Sequence, residues 1–433
     1  MEIMEQSRAA ARRIAVLAAE KGGRAYFVGG CVRDRLLERA PSDIDIEVHG
    51  MGDKQLERLL SAVGTPGKAG KGFEIYNLSG TCLNVSLPKK PGVSLCEAAA
   101  RRDFTVNALM EDVLTGEVLD FFGGKEDLKE RVIRHIGRSL SEDPVRVLRA
   151  ARFAADPAFE IAPETKSYMR RVNTEGAPPE RVMNELSRAL LSPRPSRFFE
   201  ALKGTEALSF WFREAEALID VPQNPGHHTG DAWEHTMLVL DEAAACREQA
   251  EYPLYFMLAA LCHDLGKSET TVKEPHGRIH APGHPETGAE TARAFLSRIT
   301  REKQLKKYVC NMVRFHMEAN RLWKKGKKKK DYMLLFDRTV CPGDLLLLAE
   351  CDIKTTLLYT EDYSFARKLH KDMLKQYYAL LEKPYIRGEE LIELGVPEGP
   401  LLGEALGFAR RQMLKEAPRE ETLEKIEKKW GKR

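Results

Sequence analysis

The sequence contains no stretch that suits a membrane span, a signal peptide or a disulfide framework. No apolar run approaches the roughly 20 residues that a membrane-spanning helix needs. The N-terminal segment lacks the apolar core of a signal peptide, so we expect a helix there. The eight cysteines form no Cys-x-x-Cys pair, which favours reduced thiols over disulfides or a cysteine zinc site. These absences predict a cytoplasmic protein with no membrane partner.

The chain also lacks a large excess of charge of either sign. It has 68 Lys and Arg against 65 Asp and Glu, a formal net charge of +3. Any contact with nucleic acid must therefore come from a local patch. The run KKGKKKK at residues 324–330 is such a patch, typical either of a solvated loop or of a contact to phosphates. At 433 residues the chain is long enough for about three domains.

Residues 24–122 alternate short β-type runs with glycine turns and helical stretches, which predicts a small α/β sheet domain. The β-type runs are AYFV, DIDIEV, FEIYNL and CLNVSL. From about residue 139 onward these runs fade and amphipathic helical patterns follow. The predicted fold class is therefore α+β, with a small sheet-containing head followed by helical domains.

The stretch YFVGGCVRDRLLERAPSDIDIEV, residues 26–48, combines paired glycines with alternating carboxylates. Because successive side chains of a strand point to opposite faces, Asp43, Asp45 and Glu47 share one face. Stacked carboxylates repel each other unless a cation lies between them, and Mg²⁺ prefers oxygen ligands together with substrate phosphates. The pair Asp43 and Asp45 therefore favours a two-metal phosphoryl-transfer site, and a solvated edge strand is the alternative.

Two further patterns suit a nucleotide. Gly29 and Gly30 follow a short strand and let backbone N–H groups approach an anion, and the helix behind them carries Arg33. Downstream, two arginines, an aspartate and an asparagine lie within seven residues, where arginines can clamp a triphosphate and the other two can contact a ribose. These four residues are Arg101, Arg102, Asp103 and Asn107.

Six motifs, in order, resemble those of the bacterial tRNA nucleotidyltransferases and poly(A) polymerases, class II of the polymerase-β-like superfamily. They are GGCVRDRLL, SDIDIEV, RRDFTVNAL, LDFFGGKEDL, EDPVRVLRAARF and PERVMNEL. The resemblance implies a polymerase-β-like head, Mg²⁺ as cofactor, and tRNA, CTP and ATP as partners. It implies template-independent addition of CCA to tRNA 3′ ends. Poly(A) synthesis or partial addition of CC or A stays open, because these activities share the motifs.

The same resemblance implies roles for individual residues. Asp43 and Asp45 hold the metal ions, and Gly29, Gly30 and Arg33 position the triphosphate. Phosphate and ribose are bound by Arg101, Arg102, Asp103 and Asn107. The base is read by Asp143 and Arg146, with Arg149 and Arg152 nearby. An aspartate and an arginine one helical turn apart offer acceptors and donors to a base edge, although such pairs are commonly salt links.

One position departs from the family pattern. Relatives are expected to carry a third acidic residue on the strand before RRDF, where this chain has Asn84. An amide oxygen can still contact a metal ion or its water, but it adds no negative charge. The substitution predicts weaker metal binding or slower turnover.

A second set of motifs lies between residues 227 and 352. It supplies histidines and carboxylates without cysteine, which favours manganese, nickel, iron or magnesium over structural zinc. The set resembles the HD phosphohydrolase superfamily, which implies a second divalent transition metal, Ni, Mn or Fe. The predicted ligands are His235, His263, Asp264 and Asp352, with His263 and Asp264 on one helix. His284 and His316 either bind a further ion or are structural, and Lys267 is a candidate phosphate contact.

We predict four segments. They are a nucleotidyltransferase head at 1–138, a helical neck for base recognition at 139–205, a helical HD domain at 206–370 and a helical tRNA-binding tail at 371–433. The last part of this tail, residues 387–430, is predicted to hold two helices joined by a Gly-Pro turn. Two other functions stay open: an HD phosphodiesterase whose head is only an RNA-binding platform, and a protein that only binds tRNA. The sequence makes no prediction about the oligomeric state.

Overall fold

The chain has an α+β fold, as predicted. The computed structural model describes residues 2–41, 43–69, 75–90, 92–156, 159–360, 363–382 and 385–431. Residues 73 and 74, which begin the predicted strand FEIYNL, lie outside this set. The chain divides into two compact units: Met1–Arg181 with Arg197–Phe210, and Val182–Ser196 with Trp211–Arg433.

The first unit holds a sheet flanked by short helices. Its strands are β1 Arg24–Val28, β2 Ile44–His49, β3 Pro66–Ala69, β4 Ile75–Leu78, β5 Leu83–Ser86, β6 Met110–Asp112, β7 Val118–Leu119, β8 Val132–Ile133 and β9 Glu160–Ile161. Its helices are α1 Glu2–Ala19, α2 Gly30–Leu36, α3 Asp53–Ser61, α4 Leu95–Ala100, α5 Gly124–Lys129, α6 Ser139–Glu142, α7 Val145–Ala154 and α8 Pro163–Met169. Three more helices contribute residues to both units: α9 Pro179–Leu190, α10 Ser196–Leu202 and α11 Glu206–Trp211.

The carboxylate strand β2 is an internal strand. The sheet has the order β3-β4-β5-β2-β1-β6-β7, and β2 pairs antiparallel with β1 and parallel with β5. The alternative of a solvated edge strand is therefore wrong. The paired backbone of β2 fixes the faces to which its side chains point.

One face of this sheet is covered by α1 and α3. Ile44, Ile46 and Val48 of β2 belong to a buried apolar cluster that also contains Ile14 and Leu56 from these two helices. Each such side chain contributes about 1.5–3 kcal/mol by leaving water. Because the apolar residues of β2 occupy this face, its alternate acidic residues must face the other way.

The second unit is almost entirely helical. Its helices are α12 Arg213–Glu216, α13 Ala232–Cys246, α14 Pro253–Cys262, α15 Lys267–Thr270, α16 His284–Ile299, α17 Lys303–Phe315, α18 Glu318–Lys324, α19 Lys329–Arg338, α20 Pro342–Lys354, α21 Tyr363–Leu381, α22 Gly388–Glu393, α23 Pro400–Leu414 and α24 Arg419–Trp430. Two short strands form a hairpin, β10 Val272–Lys273 and β11 Ile279–His280. Together with β9, which pairs with β8, this hairpin departs from the prediction that everything after residue 138 is helical.

Two helix boundaries also differ from the predictions. The last segment was expected to hold two helices, but three are described there, α22 to α24, because Gly395 and Gly399 adopt positive φ between the first two. Helix α14 ends at Cys262, so His263 and Asp264 lie in the turn after it and not within a helix. Among the described residues, no helix is both long and apolar enough to cross a membrane.

Candidate functional sites

The turn after β1 lies beside the carboxylates of β2. Gly29 forms this turn with φ of 74°, a left-handed conformation that glycine adopts readily. A Cβ atom placed on Gly29 would lie 3.4 Å from Nη1 of Arg102 and 3.9 Å from Oδ2 of Asp45. At Gly30, the first residue of α2, it would lie 3.5 Å from Nη2 of Arg33. The glycine backbone, the Asp45 carboxylate and the guanidinium groups of Arg33 and Arg102 therefore lie around the same turn.

Asp43 and Asp45 lie at the start of β2. Asp43 is exposed just before the strand, and Asp45 is half-buried within it. Burial raises the pKa of Asp45, and the charge of Asp43 raises it further, while a hydrogen bond from Asn84 opposes both. The charges of Arg102 and Arg149 lower the pKa of Asp45, and a cation bound between the two carboxylates would lower it further. Both residues offer only oxygen ligands, so they fit Mg²⁺.

Asn84 of β5 stands opposite Asp45 in the parallel register. Its Nδ2 donates a hydrogen bond to Oδ1 of Asp45 at 2.9 Å, and its Oδ1 accepts one from Nδ2 of Asn77 at 2.6 Å. The amide oxygen is therefore engaged by Asn77, and the amide N–H group faces the carboxylate. In this arrangement Asn84 holds Asp45 in place and does not present its oxygen as a metal ligand.

Glu47, the third carboxylate of β2, is engaged elsewhere. It is 6% exposed, accepts a hydrogen bond from Nε2 of His49 at 2.8 Å, and lies 3.6 Å from Nη2 of Arg102. Burial alone would raise the pKa of Glu47, but the His49 hydrogen bond and the charge of Arg102 outweigh it and lower the pKa. Glu47 thus stays ionised and helps to orient Arg102 toward the glycine turn.

Polar contacts run continuously from α2 to α7. Nη1 of Arg33 donates to Oδ1 of Asn107 at 2.7 Å, and Nδ2 of Asn107 donates to Oδ1 of Asp103 at 2.8 Å. Nε of Arg149 lies 2.7 Å from Oδ2 of Asp103. Asp103 and Asn107 are both buried, so these contacts satisfy groups that water does not reach. The fold thus joins four of the predicted nucleotide-binding residues.

Asp143 and Arg146 are arranged differently from the prediction. Asp143 lies between α6 and α7 and accepts two hydrogen bonds from Arg181, at 3.0 and 2.7 Å. Arg146 lies in α7 and donates to the carbonyl oxygens of Ser139 and Arg101, at 3.1 and 2.9 Å. The prediction that Asp143 and Arg146 lie on one helix is wrong. Pro144 follows Asp143, and a proline disfavours helical backbone in the residue before it.

Phe153 was missed by the sequence reasoning. Its ring lies 5.1 Å from Cζ of Arg33 and 4.6 Å from Cζ of Arg152, at distances where an aromatic ring attracts a guanidinium. Phe153 therefore supports one arginine predicted to contact the triphosphate and one predicted to lie near the base. Its position one residue after Arg152 on an amphipathic helix was the available signal.

In the second unit, the predicted metal ligands converge on Asp264. Its Oδ2 lies 3.2 Å from Nε2 of His263 and 3.5 Å from Nε2 of His235. Its Oδ1 lies 3.4 Å from Nε2 of His284 and 3.8 Å from Nε2 of His316. The Nε2 atom of His235 also lies 3.1 Å from Oδ1 of Asp352. Two groups of three potential ligand atoms therefore share Asp264: one with His235 and His263, the other with His284 and His316.

The ring orientations in this cluster suit a metal ion. Nδ1 of His263, His284 and His316 donates to the carbonyl oxygens of Ala260, Ala281 and Val313, at 2.7 to 2.8 Å. A histidine whose Nδ1–H is bound in this way presents the lone pair of Nε2, as in metal sites. Nε2 of His284 and of His316 are buried without a hydrogen-bond partner in the described structure. A divalent ion would satisfy both.

Protonation states in the cluster also suit a metal. Burial, aided by the neighbouring histidines, lowers the pKa of His316 to about 3, so its imidazole is neutral at neutral pH. Burial works against ionisation of Asp264, but Lys267 and His263 outweigh it and hold the pKa of Asp264 well below its usual range. His263 is the exception, because burial lowers its pKa but the neighbouring Asp264 outweighs burial and raises it. A metal ion would displace that proton, since neutral imidazoles and ionised carboxylates are the forms that bind metals.

A cavity of about 330 Å³ opens beside Asp264, Asp352 and His284. Its lining includes Lys267 and Arg278, so it is suited to an anion. Nζ of Lys267 lies 2.6 Å from Oδ2 of Asp264 and donates to Oε1 of Gln223 at 2.6 Å. The predicted phosphate contact Lys267 is thus held at the edge of the cluster.

His228 also lines the cavity and was not among the predicted site residues. Its ring centroid lies 4.6 Å from that of His235. Burial lowers the pKa of His228 to about 3, so its imidazole is neutral at neutral pH. The paired histidines at 227–228, shortly before His235, were the sequence signal for it.

Family models match three parts of the chain. The Poly A polymerase head domain matches residues 25–79 and 81–134. The probable RNA and SrmB-binding site of polymerase A matches residues 158–219, and the HD domain matches residues 232–341.

Curated relatives carry the name Multifunctional CCA protein. The protein from Halorhodospira halophila is 37% identical over an alignment of 320 residues that covers 68% of this chain and 74% of the relative. The protein from Pseudomonas fluorescens is 33% identical over an alignment of 425 residues that covers 90% of this chain and 98% of the relative.

Solved structures share the fold over nearly the whole chain. The Thermotoga maritima CCA-adding enzyme complexed with tRNA has a TM-score of 0.63 at 20% identity, covering 96% of this chain and 93% of that one. The Bacillus stearothermophilus CCA-adding enzyme in complex with CTP has a TM-score of 0.67 at 21% identity, covering 96% and 97%.

Proposed function

Because this chain belongs to the family of the multifunctional CCA proteins, we propose that it adds CCA to the 3′ ends of tRNA, using CTP and ATP and no nucleic-acid template. One observation carries the proposal for the head. The bare backbone at Gly29 lies beside both Asp45 and Arg102, with distances of 3.9 and 3.4 Å from the position of a Cβ atom. This arrangement supports a triphosphate held between backbone, arginine and a carboxylate-bound cation. The named relatives and the tRNA and CTP complexes of similar folds support the same partners.

In this proposal Asp43 and Asp45 hold Mg²⁺. The ion supplies charge neutralisation for the triphosphate and activation of the tRNA 3′-hydroxyl. Asn84 holds Asp45 by its 2.9 Å hydrogen bond, so the carboxylate meets the ion in a fixed orientation. Arg102, oriented by Glu47, contacts the phosphates beside the glycine turn.

The polar contacts from α2 to α7 position the nucleotide. Arg33 contacts the triphosphate while Asn107 holds its guanidinium, and Asp103 in turn holds Asn107. Because Arg149 of α7 is tied to Asp103, the triphosphate and base sides of the site are mechanically linked.

Base reading is assigned to Asp143 and Arg146. Arg181 occupies part of the acceptor capacity of the Asp143 carboxylate and orients it, which leaves lone pairs for the amino group of cytosine or adenine. Arg146 is held by two backbone carbonyl oxygens and supplies donors to the acceptors of the same base edge.

The test is incorporation of labelled nucleotides into tRNA that lacks CCA, with Mg²⁺ and with CTP alone, ATP alone or both. We expect CC from CTP alone and CCA from both. Long A tails would contradict CCA addition in favour of poly(A) synthesis. Absence of incorporation would overturn the transferase proposal.

For the second unit, we propose a metal-dependent phosphohydrolase. The observation that carries it is the sharing of Asp264 between two groups of ligand atoms beside a cavity that carries basic side chains. A nitrogen- and oxygen-ligand set of this kind favours Ni, Mn or Fe. The bound ions supply an activated water for attack on a phosphate, and Lys267 contacts the phosphate oxygens.

Hydrolysis of bis(p-nitrophenyl) phosphate after loading with Ni²⁺, Mn²⁺, Fe²⁺ or Mg²⁺ tests this assignment. We expect at least one transition metal to support turnover and Asp264→Asn to abolish it. Asp372→Asn, on the exposed side of α21, is the matched control and should act as the parent protein does. Equal turnover by the parent and Asp264→Asn would refute the assignment.

The last segment, residues 371–433, is proposed to hold the tRNA elbow. Its helices α23 and α24 carry basic side chains near their ends, at Arg411, Lys428 and Lys429. Binding there needs to recognise only the shape of a folded RNA. Handling of tRNA places the proposed activity in the cytoplasm.

A further inference from the structure

Two cysteines meet between the helices that carry two of the proposed metal ligands. Sγ of Cys246, at the end of α13, lies 3.4 Å from Sγ of Cys351 in α20. The residues are 105 positions apart, so only the packing of these helices brings them together. Cys351 is 1% exposed, and Cys246 is half-buried. The pair is therefore a preformed dithiol with one partly accessible member.

The geometry allows a disulfide after a small movement. A disulfide places its sulfurs about 2.05 Å apart, so closure requires an approach of about 1.4 Å. Rotation of one or both cysteine side chains can supply most of such a movement. The contact involves two different helices, so the bond would join them covalently.

The same helices carry His235 and Asp352. Cys246 lies 11 positions, about three turns, after His235 on α13, which places both residues on the same face. Cys351 directly precedes Asp352 on α20. Nε2 of His235 lies 3.1 Å from Oδ1 of Asp352. The part of the approach that side-chain rotation does not supply must come from the backbone of α13 or α20, and Asp352 directly follows Cys351 on α20.

We propose that Cys246 and Cys351 form a redox modification site for hydroperoxides, and that their disulfide weakens metal binding by the HD unit. In the first step one thiol reacts with hydrogen peroxide to give a sulfenic acid and water. In the second step the other thiol attacks that sulfur, which releases a second water and forms the disulfide. The two thiols are oxidised by two electrons and the peroxide is reduced by two. A dithiol reductant reverses the change.

Displacement of Asp352 explains the effect on the metal. Because Asp352 directly follows Cys351 in α20, we expect the backbone shift that completes the disulfide to lengthen the contact of Asp352 with His235. Metal sites depend on such positions within about 0.5 Å. The head contains neither cysteine, so nucleotide addition is unaffected. The inference rests on the proposed metal site of the HD unit.

The test uses the full-length protein, stripped of metal and treated with stoichiometric hydrogen peroxide. Peptide mapping by mass spectrometry should find Cys246 linked to Cys351, with a loss of two hydrogens that dithiothreitol restores. Mn²⁺ affinity, measured by electron paramagnetic resonance, should fall about tenfold on oxidation, which is about 1.4 kcal/mol. Cys246→Ser should show neither change, and Cys96→Ser, at an exposed cysteine of the head, should behave as the parent protein.

Two results would overturn the inference. One is the absence of a Cys246 to Cys351 linkage under conditions that oxidise exposed Cys96. The other is a linked protein whose Mn²⁺ affinity stays within twofold of the reduced form. The variant Cys246→Ala should give the same results as Cys246→Ser, which would exclude a folding defect caused by the serine. Failure of the reduced protein to bind Mn²⁺ would instead refute the proposed metal site, while the mass measurement would still decide whether the disulfide forms.

Discussion

Asn84 divides its hydrogen bonds between two neighbours, and this division determines what its side chain can do. Its oxygen accepts from Asn77 and its N–H group donates to Asp45, at 2.6 and 2.9 Å. A carboxylate at this position would repel Asp45 without a cation and bind a metal with one, whereas the amide stabilises Asp45 in either state. Asn84 therefore holds the Asp45 carboxylate in place whether or not a cation is bound.

We expect Asn84→Ala to slow nucleotide addition about tenfold at saturating Mg²⁺. The variant removes a hydrogen bond to a charged group, which is worth about 1.5–3 kcal/mol. Turnover and the Mg²⁺ concentration for half-maximal rate should be measured together. Asn84→Asp should lower that Mg²⁺ concentration. Turnover of Asn84→Ala within twofold of the parent would show that the hydrogen bond is not used.

At the scale of elements, β2 and α7 contribute to the head in different ways. Strand β2 carries its carboxylates in a period of two, which follows from its own backbone. Helix α7 contributes Arg149 through an ion pair with Asp103, a residue 46 positions earlier in the chain. The position of this helix is therefore coupled to the nucleotide site only by the tertiary fold.

Arg149→Ala should raise the KM for both CTP and ATP about tenfold and change kcat little. The variant leaves a buried carboxylate without its ion pair and loosens Asn107 and Arg33 behind it, and tenfold corresponds to about 1.4 kcal/mol. Steady-state kinetics with each nucleotide provide the measurement. Arg171→Ala, at an exposed arginine after α8, is the matched control. A fall in kcat at constant KM would place Arg149 in another role.

Helices α16 and α17 bring His284 and His316 to the histidine cluster from two directions. His284 is the first residue of α16, and His316 directly follows α17. Their side chains meet at Asp264 because these two helices pack closely together. Neither helix by itself contains a metal site.

We expect two bound ions per chain in the parent protein and one in the double variant with His284→Ala and His316→Ala. We expect the Nε2 atoms of His284 and His316, which have no hydrogen-bond partner in the described structure, to bind one ion. His235, His263 and Asp264 should bind the other. Elemental analysis after Mn²⁺ loading and dialysis counts them. His276→Ala, at an exposed histidine of the hairpin loop, should keep both ions. An unchanged count in the double variant would make these two histidines structural.

At the scale of the whole molecule, the two proposed activities belong to two compact units. The described carboxylates and arginines of the head all belong to the first unit, and the histidine cluster belongs wholly to the second. Because neither site borrows a residue from the other unit, each should work with the other disabled. The four predicted segments remain a finer prediction than this division.

Asp43→Ala should reduce nucleotide addition at least 1,000-fold, about 4 kcal/mol, and leave phosphodiester hydrolysis unchanged. Asp264→Ala should abolish hydrolysis and leave nucleotide addition unchanged. Both activities are measured on each variant, with Asp53→Asn at an exposed position of α3 as the control. Loss of both activities in either variant would contradict separate sites, and intact addition by Asp43→Ala would refute the Mg²⁺ assignment.

The sequence alone was sufficient to predict the α+β fold, the family and the carboxylate face of β2, while the roles of the site residues stay predictions. These features depend on local periodicity and on motifs whose residues lie close together in the chain. The sequence did not predict where the helices begin and end near Pro144 and Cys262, because the backbone changes direction there at a single residue. These errors put Asp143 and Asp264 into helices they do not occupy.

Only the tertiary structure decided how the side chains pair. The bond from Asn84 to Asp45 spans 39 residues, and the contact of His235 with Asp352 spans 117. No periodicity reports such pairs, because they exist only once sheet and helices have packed and buried their apolar faces. For the same reason, the spacing of the eight cysteines predicted independent thiols, and only the packing of α13 on α20 brought Cys246 and Cys351 into contact.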